Sequence, residues 1–316
     1  ALVGKSFGVF AFRATKGSSH QIDIALPRTE KSVGTRGGYR DFDIVTDHAL
    51  SIEEDLSRRD FTINAMALDV RTGTLIDPYG GTKDLEARVF RAVGDPVKRF
   101  SEDRTRVLRG VRFALCLGLA LDPATREAMK HVSLADPDQQ HIISREVIAR
   151  ELVKLFACDA EQGMVLLDNL GLLTQLFPEA EEMKKTEQSE DYHSEGNVFN
   201  HTKLALAQIK DSDFVARFGE QHSPELPFAV LFHDLGKSST RHLDKETGHV
   251  SFHGHPQAGA RIATDILERL RFSSVQGFDA KKVSWLVEHH LFAITTDLET
   301  VKASTLESYF LTQPEW

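Results

Sequence analysis

The 316-residue chain is 41% hydrophobic and 27% charged, a composition that excludes an intrinsically disordered or fibrous protein and leaves room for two or three domains. Its formal net charge of -9 excludes a uniformly basic nucleic-acid binder, so any polyanion must meet a local basic surface. No apolar run approaches the ~20 residues that span a bilayer, and Cys116 and Cys158 sit in helix-like apolar contexts, which predicts two buried free thiols and a reducing, cytoplasmic setting.

From Leu2 to Phe12 and from Gln21 to Leu26 the pattern is strand-like, and the turn-rich Thr15 to Ser19 between them predicts a hairpin. The chain opens inside a strand pattern without Met, which predicts that further sequence precedes it. Arg28 to Leu50 is polar and glycine-bearing, with Arg28, Glu30, Arg36, Arg40 and Asp41 interspersed, and reads as one long flexible loop, either functional or disordered. Ser51, three residues before Glu54, predicts a capping box. Next comes Arg58-Arg59-Asp60-Phe61-Thr62-Ile63-Asn64-Ala65-Met66-Ala67. Its apolar half should be buried, holding Arg59 and Asp60 on a rigid support where a guanidinium suits a phosphate. The alternative is a charged helix start with Asp60 in its N-terminal turn.

Between Glu86 and Phe113 eight Lys/Arg face four acids, so this stretch is locally basic. Helices are predicted near 102–118, 122–131, 144–157 and 160–170. In the first of these, Asp103, Arg106, Arg109 and Arg112 recur every three residues and would share one exposed face, opposite Val107, Leu108, Val111 and Ala114. Such a face suits a nucleobase edge and phosphates, and the alternative is an ion pair worth only about 0.3 kcal/mol. The charge-rich run from Glu179 to Glu190 predicts a solvated linker at a domain boundary.

The Arg58–Ala67 stretch, then Asp77-Pro78-Tyr79-Gly80-Gly81 with Asp84, then Glu102 to Phe113, resemble in order and spacing three motifs of the class II tRNA nucleotidyltransferases and bacterial poly(A) polymerases. The resemblance implies an α+β chain with part of a nucleotidyltransferase head over residues 1–84 and an all-α neck and body over 85–183. It implies that Asp103 and Arg106 read the base of incoming CTP or ATP, that Arg59, Arg109 and Arg112 contact the nucleotide or its phosphates, and that Asp60 meets the ribose. It further implies Mg2+ for nucleotidyl transfer and the tRNA 3′ end as acceptor. The loop bearing Arg28, Glu30, Arg36, Arg40 and Asp41 would decide between CC and CCA addition. The Asp-x-Asp pair that holds Mg2+ in that family does not occur in this sequence, so no catalytic residue is assigned and the pair is expected upstream of Ala1.

Histidines gather in the last third. Phe199-Asn200-His201, Phe232-His233-Asp234-Leu235-Gly236-Lys237, Gly254-His255-Pro256 and Glu288-His289-His290 resemble the HD domain superfamily. The resemblance implies an all-α domain over 191–316 that binds a divalent metal through His201, His233 and Asp234. His255 with His289 or His290 would complete a second site, and Lys237 would contact phosphate. The function expected is template-free addition of C, C and A to tRNA by a protein with a phosphohydrolase-like domain. The alternatives are poly(A), A-only or CC-only addition, a metal phosphodiesterase, and a non-catalytic RNA-binding protein.

Overall fold

The structure is a computed structural model that describes residues 2–3, 9–12, 22–32, 42–47, 49–135, 143–188, 195–219, 222–292, 296 and 300–310. The chain divides into two compact units, Ala1–Leu176 and Phe177–Trp316.

Unit 1 opens with a three-stranded antiparallel sheet of β1 (Leu2–Val3), β2 (Val9–Phe12) and β3 (Ile22–Ala25). Next, β4 (Arg28–Ser32) pairs antiparallel with β5 (Phe42–Thr46), Arg28 opposite Thr46 and Ser32 opposite Phe42. This corrects the reading of 28–50 as one loop: the Phe42-Asp43-Ile44-Val45-Thr46 run is rich in β-formers and finds a partner strand. Arg28 and Glu30 are therefore strand residues, while Arg36, Arg40 and Asp41 lie outside the described residues.

Helix α1 (Ile52–Ser57) starts with the predicted capping box, Ser51 Oγ accepting from Glu54 N and Glu54 Oε2 accepting from Ser51 N. The arginines after it cap its C-terminus, so the alternative of a helix starting at Asp60 is overturned. The chain then continues through β6 (Ala67–Asp69), β7 (Thr74–Ile76), α2 (Gly81–Glu86), β8 (Val89–Phe90), α3 (Pro96–Glu102) and α4 (Thr105–Cys116). It closes with β9 (Ala120–Leu121), parallel to β8, and the helices α5 (Pro123–Lys130), α6 (Arg145–Cys158), α7 (Ala160–Asn169) and α8 (Leu173–Leu176).

The core of this unit joins the motifs. Phe61 and Phe90 are fully buried with ring centroids 4.3 Å apart, each contributing on the order of 2 kcal/mol by burial. A Cβ at Gly110 would stand 2.4 Å from Met129 Cε and 2.8 Å from Phe61 Cζ, so α4 can lie on the Phe61 ring only because residue 110 has no side chain. Gly80 adopts φ 73°, and Asp77 accepts from Gly81 N at 2.7 Å and Thr82 N at 2.9 Å, fixing the start of α2.

Cys116 and Cys158 are joined by a disulfide, Cα atoms 5.3 Å apart, which corrects the expectation of two buried thiols. Each is the last residue of its helix, α4 or α6, where Cys116 is exposed and Cys158 half-buried. These helices run side by side with the same polarity, so their C-terminal ends meet.

Unit 2 comprises α9 (Ala180–Lys185), α10 (Val198–Gln208), α11 (Ser212–Phe218), α12 (Leu226–Phe232), α13 (Lys237–Thr240), α14 (His255–Arg269), α15 (Ala280–Glu288) and α16 (Ala303–Phe310). It is not all-α: β10 (His242–Leu243) and β11 (Val250–Ser251) form a small antiparallel ladder. The charge-rich run from 179 is no solvated linker either, because α9 buries Ala180 and Met183, and Thr186 and Gln188 are buried beyond it. Phe228 anchors the core, stacking edge-on to Phe272 at 4.9 Å and Phe278 at 5.3 Å.

Candidate nucleotide and metal sites

In unit 1 the motif arginines end on protein acceptors. Asp60 is buried; its Oδ1 accepts from Phe61 N and Asn64 Nδ2, and its Oδ2 accepts from Arg109 Nε at 3.0 Å and Nη2 at 2.7 Å. Arg112 donates from Nε to the buried Glu151 of α6 at 2.6 Å and lies 4.0 Å over the Phe113 ring. Arg106 is 7% exposed rather than on a solvated face: it donates to Glu102 Oε2 at 3.1 Å and to the carbonyls of Arg99 and Arg58 at 3.2 Å each. Arg59 is the more open guanidinium, 46% exposed and 3.2 Å from Asp55 Oδ2.

Asp103 stands in extended backbone between α3 and α4, so it shares no helical face with Arg106. Its Oδ1 accepts from Thr105 N at 2.9 Å and Thr105 Oγ1 at 2.6 Å, and its Oδ2 is 4.0 Å from Arg106 Nε. Arg99 was not foreseen. It donates to Ser57 O at 2.8 Å beside the Arg106 contact to Arg58 O, so two guanidinium groups close the C-terminus of α1. Burial pulls the Arg99 pKa below the usual arginine value, with Glu102 opposing.

In unit 2, four imidazoles converge on Asp234, which is 2% exposed. His201 Nε2 and His233 Nε2 stand 3.6 and 3.1 Å from its Oδ2; His255 Nε2 and His290 Nε2 stand 3.4 and 3.8 Å from its Oδ1. Every ring is held by its other nitrogen. Nδ1 meets Glu195 Oε1 at 2.6 Å in His201, Val230 O at 2.7 Å in His233, Phe252 O at 2.9 Å in His255 and Val287 O at 2.7 Å in His290. Since a carbonyl can only accept, at least three of the four rings carry their proton on Nδ1, and each neutral ring then turns an Nε2 lone pair inward. The backbone makes this approach possible: a Cβ at Gly236 would sit 2.1 Å from His255 O, so only glycine lets the His233–Lys237 turn lie against the start of α14.

Lone pairs facing a carboxylate repel unless a cation lies between them. The buried Asp234 Oδ2 has no well-directed hydrogen bond, and the donor atoms of His201, His233 and Asp234, and of Asp234, His255 and His290, lie within 4.8 Å of one another. A nitrogen-rich set with one shared carboxylate fits a borderline divalent cation. Burial pushes the His201 pKa down and that of His290 down to about 4, keeping both neutral. Burial by itself would raise the Asp234 carboxyl; His233, His255 and Lys237 outweigh it and hold it far below the usual carboxylate range.

Lys237, expected to face phosphate, is 6% exposed, with Nζ 2.8 Å from Asp234 Oδ2 and 2.5 Å from Gln188 Oε1. His289 does not join the group: its ring stacks on Trp285 at 4.5 Å and its Nδ1 meets Trp285 O. Among the described residues, unit 1 brings no three metal-ligating side chains together.

The sequence matches the Poly A polymerase head domain family over residues 2–91, the probable RNA and SrmB-binding site of polymerase A over 118–184, and the HD domain family over 199–312. It is 36% identical over 273 residues to a multifunctional CCA protein of Acinetobacter baumannii, covering 85% of this chain and 60% of that protein. It is 37% identical over 255 residues to an A-adding tRNA nucleotidyltransferase of Deinococcus radiodurans, covering 78% of this chain and 54% of that protein. The chain thus spans a little over half the length of these relatives. A CCA-adding enzyme solved in complex with CTP shares the fold, with a TM-score of 0.51 and 19% identity over 97% of this chain and 70% of the other. Three domain families in the order of the three regions, and more than a third identity over most of the sequence, establish that the chain belongs to the tRNA nucleotidyltransferase and poly(A) polymerase family and carries an HD domain in its second half.

Proposed function

We propose that this protein adds C, C and A to the 3′ end of tRNA without a nucleic-acid template, taking CTP and ATP, and that its HD region is a metal-dependent phosphohydrolase. In this reading residues 1–84 belong to the head, 85–183 to a neck and body that meet nucleotide and RNA, and 191–316 to the HD domain. The observation that carries it is the double hydrogen bond from Arg109 to Asp60, which ties the Arg-Arg-Asp stretch to α4 and makes one body of two motifs far apart in sequence.

Asp103 and Arg106 would read the base, Arg106 exchanging Glu102 and two carbonyls for a nucleobase edge, while the exposed Arg59 meets phosphate, with Arg109 and Arg112 behind it and Asp60 at the ribose. The described residues of unit 1 lack a carboxylate cluster for Mg2+, so no step of the transfer is routed through that ion here. In unit 2, His201, His233 and Asp234 would hold one divalent cation, and Asp234, His255 and His290 a second. Such ions supply Lewis-acid activation of water toward a phosphoester.

The test is CTP and ATP binding and use by the full-length protein carrying Asp103→Asn or Arg106→Ala. Asparagine keeps an acceptor for Thr105 but changes the edge offered to a base, so affinity should fall about tenfold or more with the melting temperature nearly unchanged. Arg106→Ala should lower both affinity and stability, because two carbonyls at the end of α1 lose their donor. Unchanged affinity in both variants would remove these residues from base reading. Extension of a tRNA ending in CC, without extension of one lacking CCA altogether, would mark A-only addition.

A further inference from the structure

Gln188 is 6% exposed and sits at the edge of the HD centre, where its side-chain oxygen accepts from Lys237 Nζ at 2.5 Å, opposite the 2.8 Å contact of the same ammonium to Asp234. Its main chain is pinned, Gln188 N donating to Gly196 O at 3.1 Å next to the Glu187–Asn197 bridge. Lysine has donors only, so the amide must turn its oxygen to Lys237 and its NH2 elsewhere. That orientation follows from the chemistry of the pair rather than from a choice of rotamer. The NH2 is fully buried and meets no acceptor, a state that costs on the order of 1 to 3 kcal/mol unless something binds there.

We infer that Gln188 is a positioning residue for phosphoester binding at the HD centre: it holds Lys237 against Asp234 and offers its own Nε2 to a phosphoryl oxygen. This rests on the phosphohydrolase reading given above. An ammonium and an amide NH2 set side by side suit a phosphoryl group because it brings several charged oxygens that both can share. The competing occupant is a buried water, which would satisfy the NH2 without any bearing on substrate.

The experiment is calorimetric titration of inorganic phosphate into the Mn2+-loaded full-length protein, with metal content measured in parallel. Gln188→Met removes both the hold on Lys237 and the donor; Gln188→Glu keeps an oxygen for Lys237 and removes the donor. Both variants should retain the parent's metal content, which also shows that they fold, and bind phosphate at least about tenfold more weakly, the size expected for losing a hydrogen bond to a charged group. Parent-like phosphate affinity in either variant overturns the inference, as does loss of metal together with phosphate. A parent that binds metal but no phosphate overturns the phosphohydrolase reading itself, and the role of Gln188 with it.

Discussion

Arg106, Arg109 and Arg112 of unit 1 end on Glu102, Asp60 and Glu151 at 3.1, 2.7 and 2.6 Å, whereas four imidazole Nε2 atoms of unit 2 gather on a single carboxylate between 3.1 and 3.8 Å away. The first arrangement is electrically closed, each cation matched to an anion or a carbonyl. The second is open, with acceptors facing acceptors and nothing but Lys237 to balance them. A closed network is rigid, and a ligand must compete with its internal partners. An open one is raised in free energy until a cation arrives, because buried polar groups without partners are costly. The same residue types that sequence reading treats alike, charged groups in motifs, are therefore spent differently: on scaffold first in unit 1, on ligand first in unit 2.

The comparison breaks most easily at Asp234. It serves both halves of the histidine group, so Asp234→Ala should abolish divalent metal uptake in unit 2, while Asp60→Ala should leave metal content at the parent's level. Elemental analysis after dialysis decides it; metal retained by the Asp234 variant would mean that the cluster is held together by protons instead. The mirror experiment removes a partner from the closed network. Glu151→Ala leaves Arg112, 13% exposed, with a buried charge and no carboxylate, which should cost about 3 kcal/mol of unfolding free energy without touching metal content. A loss below about 1 kcal/mol would show that the ring contact with Phe113 suffices.

pH offers a third comparison in the metal-free protein. Burial lowers His290 from 6.5 to about 4 and lowers His201 as well. Between those values the unfolded chain binds protons that the folded imidazoles refuse, so stability is intact above pH 6.5 and falls as pH drops toward 4. For His290 the full effect is at most about 3 kcal/mol. Denaturant midpoints measured across this window should fall with pH, and saturating metal should shift the fall to lower pH by competing with the protons.

How far the sequence could be read follows the same division. Histidine beside aspartate in a helical context is rare enough that the metal group was legible from residue type, and one ambiguity was resolvable: His290 lies three and seven residues after the fully buried Val287 and Val283, on the inner face of α15, whereas His289 lies four after Trp285. Glu102, four residues before Arg106, was within reach of the same spacing argument. Glu151 and Gln188 were not, because they meet Arg112 and Lys237 across 39 and 49 residues, and no local pattern encodes such distances. The cysteines failed for a related reason: their helix-like contexts were read correctly, but their pairing depends on two helix ends coming together. Asp103 was misplaced by extending the helix through it, when its carboxylate in fact closes the turn that starts α4.

The finest probe of the closed network is the coupling between Asp60 and Arg109. Arg109 is 38% exposed although Asp60 is nearly covered, so solvent screens the pair and its two hydrogen bonds should couple by only about 1 kcal/mol. A double-mutant cycle with Asp60→Asn and Arg109→Met measures it. Asparagine can still accept from Phe61 N and from Asn64, which keeps the local turn and isolates the charge. If the pair is scaffold, the coupling appears equally in the presence and absence of CTP. If Arg109 is instead released to a triphosphate, the coupling shrinks when CTP saturates the protein, because the guanidinium has then exchanged the aspartate for phosphate. A coupling that grows with CTP contradicts both and would mean that nucleotide tightens the very contact it is expected to replace.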